Sequence, residues 1–117
     1  MRLLCLLFLL LMTLSVAPLA ADARSDAKKQ VEFGIAVSQR GLWREAIYRW
    51  ERAAQIDPTY AAAHNNLAIA YEHEGELDKA RAAYEKAIEL EPNNTFIKQN
   101  YELFKEINDR TTRQDTQ

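Results

Sequence analysis

Residues 61 to 92 read AAAHNNLAIAYEHEGELDKARAAYEKAIELEP, and residues 27 to 58 read AKKQVEFGIAVSQRGLWREAIYRWERAAQIDP. The two stretches align without a gap at an offset of 34 residues, and small, aromatic, glycine and proline residues recur at matching places. A fixed period of this length indicates a repeat protein in which each unit is one supersecondary element. The repeat therefore decides the fold of the central part of the chain.

The matched positions have physical roles in a pair of antiparallel helices. Small residues recur where two helices would touch, and large apolar residues recur beside them at the spacing of a buried helix face. Gly41 and Gly75 recur where a turn between helices needs positive φ, and Pro58 and Pro92 end each unit because proline cannot continue a helix interior. The small positions are Gly34/Ala68, Ala46/Ala80 and Ala53/Ala87, and the large ones are Phe33/Leu67, Val37/Tyr71 and Trp50/Tyr84.

This pattern resembles the tetratricopeptide repeat (TPR), a helix-turn-helix unit with a W-x2-L-G-x2-Y, A-x3-F and terminal Pro pattern. His64 and Gln30 stand where the family has Trp, which weakens packing between successive units. The resemblance implies an all-α fold, a short right-handed TPR solenoid of two helix-turn-helix repeats plus a capping helix. The expected repeats cover 27–60 and 61–94, and the expected helices cover about 26–39, 43–56, 60–74, 77–91 and 95–108.

The fifth helix is expected to stand alone as a cap over 95–108. Glu102 lies 34 residues after Ala68, at a position that must be small when a second helix packs there. One stripe of this helix, Ile97, Tyr101 and Phe104, should cover the open end of the second repeat. Residues 109–117 are polar without apolar periodicity, which predicts a disordered tail.

Residues 1–23 have the pattern of a secretory signal peptide. A positive start at Arg2 precedes an apolar run, Pro18 breaks that run, and small residues up to Ala23 suit cleavage after Ala23. The alternative is an uncleaved membrane anchor, since the run approaches the length of a spanning helix. Cleavage would leave a TPR domain over 24–108 without cysteine, with a periplasmic or secreted location and no membrane contact.

Composition argues against catalysis and nucleic-acid binding. The chain has 15 Lys and Arg against 17 Asp and Glu, and no polybasic patch that would suit a phosphate backbone. His64 and His73 lie nine residues apart, which is not the i, i+4 spacing of a two-histidine metal site. No nucleophile set or glycine-rich loop is present, so no enzyme activity, metal or cofactor is expected. The Asn93-Asn94-Thr95 triplet is either turn chemistry or a glycosylation acceptor.

The resemblance directs attention to the concave face, which the first helix of each TPR unit lines. Family members that grip a C-terminal carboxylate use Lys and Arg there, whereas Val31, Ile35 and Asn100 stand at those places here. Ile35, Ile69 and Leu103 instead form an apolar ladder with a 34-residue step, next to amides that suit a peptide backbone. The expected partner-binding residues are Val31, Ile35, Asn65, Asn66, Ile69, His73, Phe96, Asn100, Leu103 and Ile107.

These features favour a non-catalytic, exported protein-protein interaction module that binds a peptide or partner protein on its concave face. The alternative is a structural role as a self-associating, homo-oligomeric subunit of an envelope or secretory assembly. A fifth helix that is apolar at Phe96, Leu103 and Ile107, outside its capping stripe, is consistent with either function.

Overall fold

The structure, a computed structural model, describes residues 16–115, and every regular element within them is an α-helix. The helices form two antiparallel pairs followed by a single helix. The second helix of the first pair contacts the first helix of the second pair, and the last helix packs on the second helix of the second pair. The expected all-α arrangement is confirmed. The helices are α1 (Val16–Gln39), α2 (Trp43–Ile56), α3 (Ala61–His73), α4 (Leu77–Leu90) and α5 (Thr95–Asp115).

The two turns inside the pairs have the geometry that their glycines predict. Gly41 has φ +78° and Gly75 has φ +76°. After each glycine, a backbone N–H donates a hydrogen bond to a carbonyl of the preceding helix. Leu42 donates to Val37 at 3.0 Å, and Glu76 donates to Tyr71 at 2.8 Å. This is the Schellman arrangement, in which the left-handed residue lets the chain satisfy the last carbonyls of a helix. Each turn thereby returns the chain antiparallel to the helix it leaves.

The helix pairs approach closely because small residues line their contacts. Ala46, Ala53, Ala68, Ala80 and Ala87 are all fully buried, as the repeat predicts. Gly34 has the closest approach, since a Cβ atom there would lie 2.3 Å from Nε1 of Trp50. The same indole N–H donates a hydrogen bond to the Val31 carbonyl at 3.1 Å. The Trp50 indole therefore fits between the helices of the first pair only because Gly34 has no side chain.

The expectation that Phe33 fills the interior beside this contact is wrong. Phe33 is 48% exposed, whereas its repeat equivalent Leu67 is buried. The difference arises because α3 packs behind α2, while no helix among the described residues precedes α1. The guanidinium of Arg49 lies over the Phe33 ring instead, 4.2 Å from its centroid.

The first helix begins earlier than expected, at Val16 instead of near residue 26. Residues 17–23 are rich in alanine, which has the highest helix propensity, and Pro18 falls in the first turn, where its missing N–H removes no internal hydrogen bond. Most of the expected signal peptide, residues 1–15, lies outside the described residues. The expected cleavage point after Ala23 falls within α1.

The last helix is longer than expected, and the prediction of disorder is wrong for residues 109–115. The helix continues to Asp115. Glu106 and Arg110 form an i, i+4 ion pair along it, and Arg81 of α4 contacts Asp109 at 3.4 Å. Pairs of this kind support helices that have no apolar face. Residues 116–117 of the expected tail lie outside the described residues.

The expected capping stripe of α5 is confirmed. Ile97 and Phe104 are buried, and Tyr101 stacks on Tyr84 of α4 with ring centroids 5.7 Å apart. At the start of the helix, the side-chain oxygen of Asn94 accepts a hydrogen bond from the backbone N–H of Ile97 at 3.2 Å. Within residues 16–115, no helix is both long and apolar enough to cross a membrane.

Candidate partner-binding face

The first helix of each pair and the last helix present equivalent residues on one side, here called the inner face. Ile35 on α1, Ile69 on α3 and Leu103 on α5 recur with a step of 34 residues. Ile35 and Leu103 are exposed, and Ile69 is partly buried. The ladder inferred from the sequence therefore lies along one side of the alternate helices α1, α3 and α5.

Helix α5 adds the most exposed apolar side chains of the inner face. Phe96 is 63% exposed, Leu103 57% and Ile107 50%. They lie beside the buried stripe of Ile97 and Phe104, so α5 is apolar on two sides. A helix at the end of a repeat array normally has a polar outer surface. The additional apolar side is therefore available for contact with another molecule.

The amides of the inner face differ from the expectation. Asn65 is buried, and its side-chain oxygen accepts a hydrogen bond from the amide of Asn100 at 3.2 Å. The prediction that Asn65 contacts a partner is wrong, because this amide joins α3 to α5 inside the protein. Asn66 and Asn100 are partly exposed. Fewer amides are thus free to bind a peptide backbone than the sequence suggested.

Val31 is the second residue that the sequence placed incorrectly. It is buried in the core beneath α2, and its carbonyl accepts the indole N–H of Trp50. Val31 is the repeat equivalent of Asn65, and both residues are buried, Val31 against Trp50 of the same pair and Asn65 against Asn100 of α5. Neither side chain is exposed to a partner.

His73 ends the inner face at the second turn. It is exposed, and its ring stacks on Trp43 of the first pair, with centroids 4.1 Å apart and planes 20° apart. The carboxylate of Glu74 lies 3.8 Å from Nδ1 of His73. One ring face of His73 therefore supports the contact between the two pairs, and only the remainder of the side chain is open to a partner.

A hydrogen bond holds an acidic side chain beside the inner face. The hydroxyl of Tyr84 donates to Glu72 at 3.1 Å. Burial, with the nearby Glu72 carboxylate, raises the pKa of Tyr84 well above its usual value, so the hydroxyl stays protonated at neutral pH. Glu72 is thereby fixed in position, next to an otherwise apolar strip.

The inner face has the chemistry of a contact surface. Within residues 16–115, no group of three or more His, Cys, Asp or Glu side chains is placed to hold a metal ion. The exposed groups are branched aliphatic and aromatic side chains, with partly exposed amides between them. Such groups bind apolar side chains by removing their surface from water.

The sequence interpretation missed the contact that ties the start of the repeat to the loop between the pairs. Arg24 forms an ion pair with Asp57, donates to the hydroxyl of Thr59 at 3.2 Å, and lies over the ring of Tyr60 at 4.8 Å. Burial raises the pKa of Asp57, but hydrogen bonds from Thr59 and Arg24 outweigh it and hold that pKa below its usual value. Contacts across about 33 residues leave no periodic signal in a sequence.

Comparison with known proteins agrees with the geometry. The family model described as Tetratricopeptide repeat matches residues 61–94, and the one described as TPR repeat matches residues 36–75. The crystal structure of MamA superposes with a TM-score of 0.66 at 31% sequence identity, over 72% of this chain and 49% of that chain. The chain therefore belongs to the tetratricopeptide repeat family, and its fold is a short TPR solenoid.

Two curated relatives show how far the similarity extends. The type IV pilus assembly protein PilF of Pseudomonas aeruginosa is 31% identical over 72% of this chain and 34% of its own length. The protein O-mannosyl-transferase TMTC4 of Mus musculus is 34% identical over 55% of this chain, which is 9% of the transferase. The chain thus spans about a third or less of the length of these relatives. Its TPR repeats make it a protein-protein interaction module.

Proposed function

We propose that this chain is an exported, non-catalytic binding module that holds an apolar segment of a partner protein on its concave face. The observation that carries the proposal is the ladder of Ile35, Ile69 and Leu103 on the three inner helices, in which Ile35 and Leu103 are exposed and Ile69 is partly buried. Phe96 and Ile107 widen this surface at α5. An exposed apolar strip of this kind on a soluble domain indicates an interaction site.

The chemistry of the face favours an apolar partner segment. Carboxylate-binding relatives carry Lys and Arg at the positions where this chain has Val31, Ile35 and Asn100. The amide of Asn100 already donates a hydrogen bond to Asn65. A C-terminal carboxylate would therefore find no cation there. An amphipathic helix or an apolar peptide would find aliphatic side chains at regular spacing.

The binding proposal is tested by comparing two charge insertions. Ile69→Lys places a charge in the middle of the ladder, and Leu77→Lys makes the same kind of change at an exposed apolar residue on α4, outside the inner face. Proteins from the native compartment that co-purify with the wild type are quantified by mass spectrometry with each variant. We expect Ile69→Lys to lose a specific partner that Leu77→Lys keeps. Equal recovery with both variants would contradict binding at the inner face.

Export is the second part of the proposal, and the apolar run that precedes Pro18 supports it. The intact mass of the protein from its native compartment decides the form that functions. A product that begins at Arg24 in a soluble fraction supports cleavage and a periplasmic or secreted location. A product that retains residues 1–23 in a membrane fraction supports the anchor and removes the soluble form from the proposal.

A further inference from the structure

The repeat itself shows what normally covers one side of each inner helix. In the second pair, Ala63, Leu67 and Ala70 of α3 are buried where the first pair packs against them. In the last helix, the equivalent Ile97 and Phe104 are buried against α4. In both cases the second helix of the preceding pair supplies the cover.

The same side of α1 is uncovered in the described residues. Its equivalent positions are Lys29, Phe33 and Ala36, and all three are exposed. Arg49 of α2 completes this surface, since its equivalent Ala83 in the second pair is buried. These four residues, called the end face below, form an apolar centre at Phe33 between two cationic side chains. By its place in the repeat, the end face has the shape that accepts a helix.

Charge indicates which helix fits. The end face carries two cations, Lys29 and Arg49, and no acidic side chain. Lys29 pairs with the exposed Asp26 at 3.6 Å, and Arg49 pairs with the partly buried Glu45 at 3.0 Å, each on its own helix. Such pairs contribute little to stability and exchange readily. A helix that carries an apolar stripe beside acidic residues would complement the end face.

Helix α5 of a second copy has such an apolar stripe beside acidic residues. Leu103 and Ile107 form an exposed apolar pair one turn apart, and Glu102 and Glu106 lie beside them and are exposed as well. These four residues are called the α5 face. The glutamates are paired with Lys105 and Arg110 on the same helix, again in exposed i, i+3 and i, i+4 contacts. The α5 face and the end face lie at opposite ends of the stack.

We propose that the end face of one copy binds the α5 face of a second copy, so that this chain associates head to tail. The two surfaces are different, so the contact is heterologous, and each added copy leaves one face open at either end of the assembly. Repetition of the contact gives a chain or a ring of copies instead of a closed two-fold dimer. The inference goes beyond binding at the inner face, because it assigns a partner to the opposite side of α1.

The experiment uses two complementary variants of the full-length gene product, purified in the form that the cell makes. Phe33→Glu disables the end face and leaves the α5 face intact, whereas Leu103→Lys does the reverse. Leu77→Glu is the matched control, since Leu77 is an exposed apolar residue on α4, outside both faces. Association is measured by sedimentation velocity over a series of concentrations, after circular dichroism shows that each variant is folded.

We expect the wild type and Leu77→Glu to form a concentration-dependent series of oligomers. Phe33→Glu and Leu103→Lys alone should each raise the dissociation constant by roughly tenfold or more, because a charge is inserted at the centre of a contact. An equimolar mixture of these two variants should form a complex of one copy of each and nothing larger, since one functional contact remains. This rescue is specific to a heterologous interface.

Several outcomes would overturn the inference. A wild type that stays monomeric at every concentration would show that the end face is only a terminus. Loss of association in Leu103→Lys but not in Phe33→Glu would show that α5 binds a site other than the end face. Failure of the mixture to associate would show that the end face and the α5 face do not bind each other. Because Leu103 belongs to both proposed surfaces, Ile69→Lys separates the two proposals: it should remove the foreign partner and leave head-to-tail association unchanged.

Discussion

Gly34→Ala tests the packing of the first helix pair most sharply, because helix propensity predicts a gain in stability and the structure predicts a loss. Alanine in place of glycine in a helix interior normally stabilises by about 1 kcal/mol. Here a Cβ would lie 2.3 Å from Nε1 of Trp50 and 2.7 Å from two further indole atoms. The indole is buried and cannot swing into solvent. We therefore expect destabilisation.

The magnitude follows from three contributions. Overpacking of a tight contact costs about 1–3 kcal/mol, and displacement of the indole from the Val31 carbonyl removes a buried hydrogen bond worth about 1 kcal/mol. After subtraction of the propensity gain, the net loss is about 2 kcal/mol, which lowers the melting temperature of a domain of this size by roughly 8–16 °C. Urea and thermal unfolding, followed by circular dichroism, measure both quantities.

The second repeat supplies the rescue variant. Where the first pair combines Gly34 with Trp50, the second combines Ala68 with Tyr84, and both of those residues are buried. The double variant Gly34→Ala/Trp50→Tyr reproduces this pair. We expect it to be more stable than the sum of the two single changes predicts, with a coupling of about 1–2 kcal/mol in a double-mutant cycle. A Gly34→Ala variant at least as stable as the wild type, or a double variant without coupling, would refute the clash.

Three further predictions concern the other contacts. Ala80→Trp should lower stability by about 3 kcal/mol or more in urea unfolding, whereas Ala82→Trp, at an exposed place on the same helix, should leave it nearly unchanged; similar midpoints would contradict the helix pairing. Asn94→Ala should cost about 1 kcal/mol through loss of the α5 cap, and an unchanged midpoint would show that the cap contributes nothing. Because the folded pKa of Asp57 is lowered, its stabilising effect is present above the ordinary value of about 3.9 and is lost as pH falls through the folded pKa. Asp57→Asn or Arg24→Gln should therefore flatten the fall in stability below about pH 4, and an unchanged acid limb would contradict the contact between these two residues.

The sequence predicted the features of the fold that depend on local repetition. Gly41 and Gly75 have the positive φ that the turn requires, and the alanines of the helix contacts are buried. The 34-residue offset was sufficient because equivalent residues in stacked units have equivalent neighbours. The exception among the core positions, Phe33, belongs to the unit that no helix precedes among the described residues. Its neighbours therefore differ from those of Leu67, and this difference breaks the equivalence on which the prediction depends.

The ends of the first and last helices were predicted less well for a different reason. The alanine-rich stretch before Arg24 and the charged stretch after Asn108 lack an apolar period, yet both are helical. Helix propensity, i, i+4 ion pairs and the contact of Arg81 with Asp109 support these segments. Apolar periodicity detects only helices that bury a face, so it misses such extensions.

The exposure of the candidate partner-binding residues was predicted correctly at some positions and incorrectly at others. Ile35, Leu103 and Phe96 are exposed as expected, but Val31 and Asn65 are buried, although they lie within four residues of surface positions on the same helices. Family resemblance indicates which helix lines the concave face. The direction of each side chain depends on the rotation of that helix against its partner, which a single sequence determines poorly.

Site-specific photo-cross-linking in the native compartment tests the central claim, binding of a partner protein on the concave face, most directly. Phe96 and Tyr48 are aromatic and similarly exposed, the first on the inner face and the second on the outer surface of α2. Each is replaced in turn by p-benzoylphenylalanine, which preserves an aromatic ring at the position. We expect a covalent adduct with a different protein at position 96 and little or none at position 48. Equal adducts at both positions, or an adduct only at position 48, would contradict this claim.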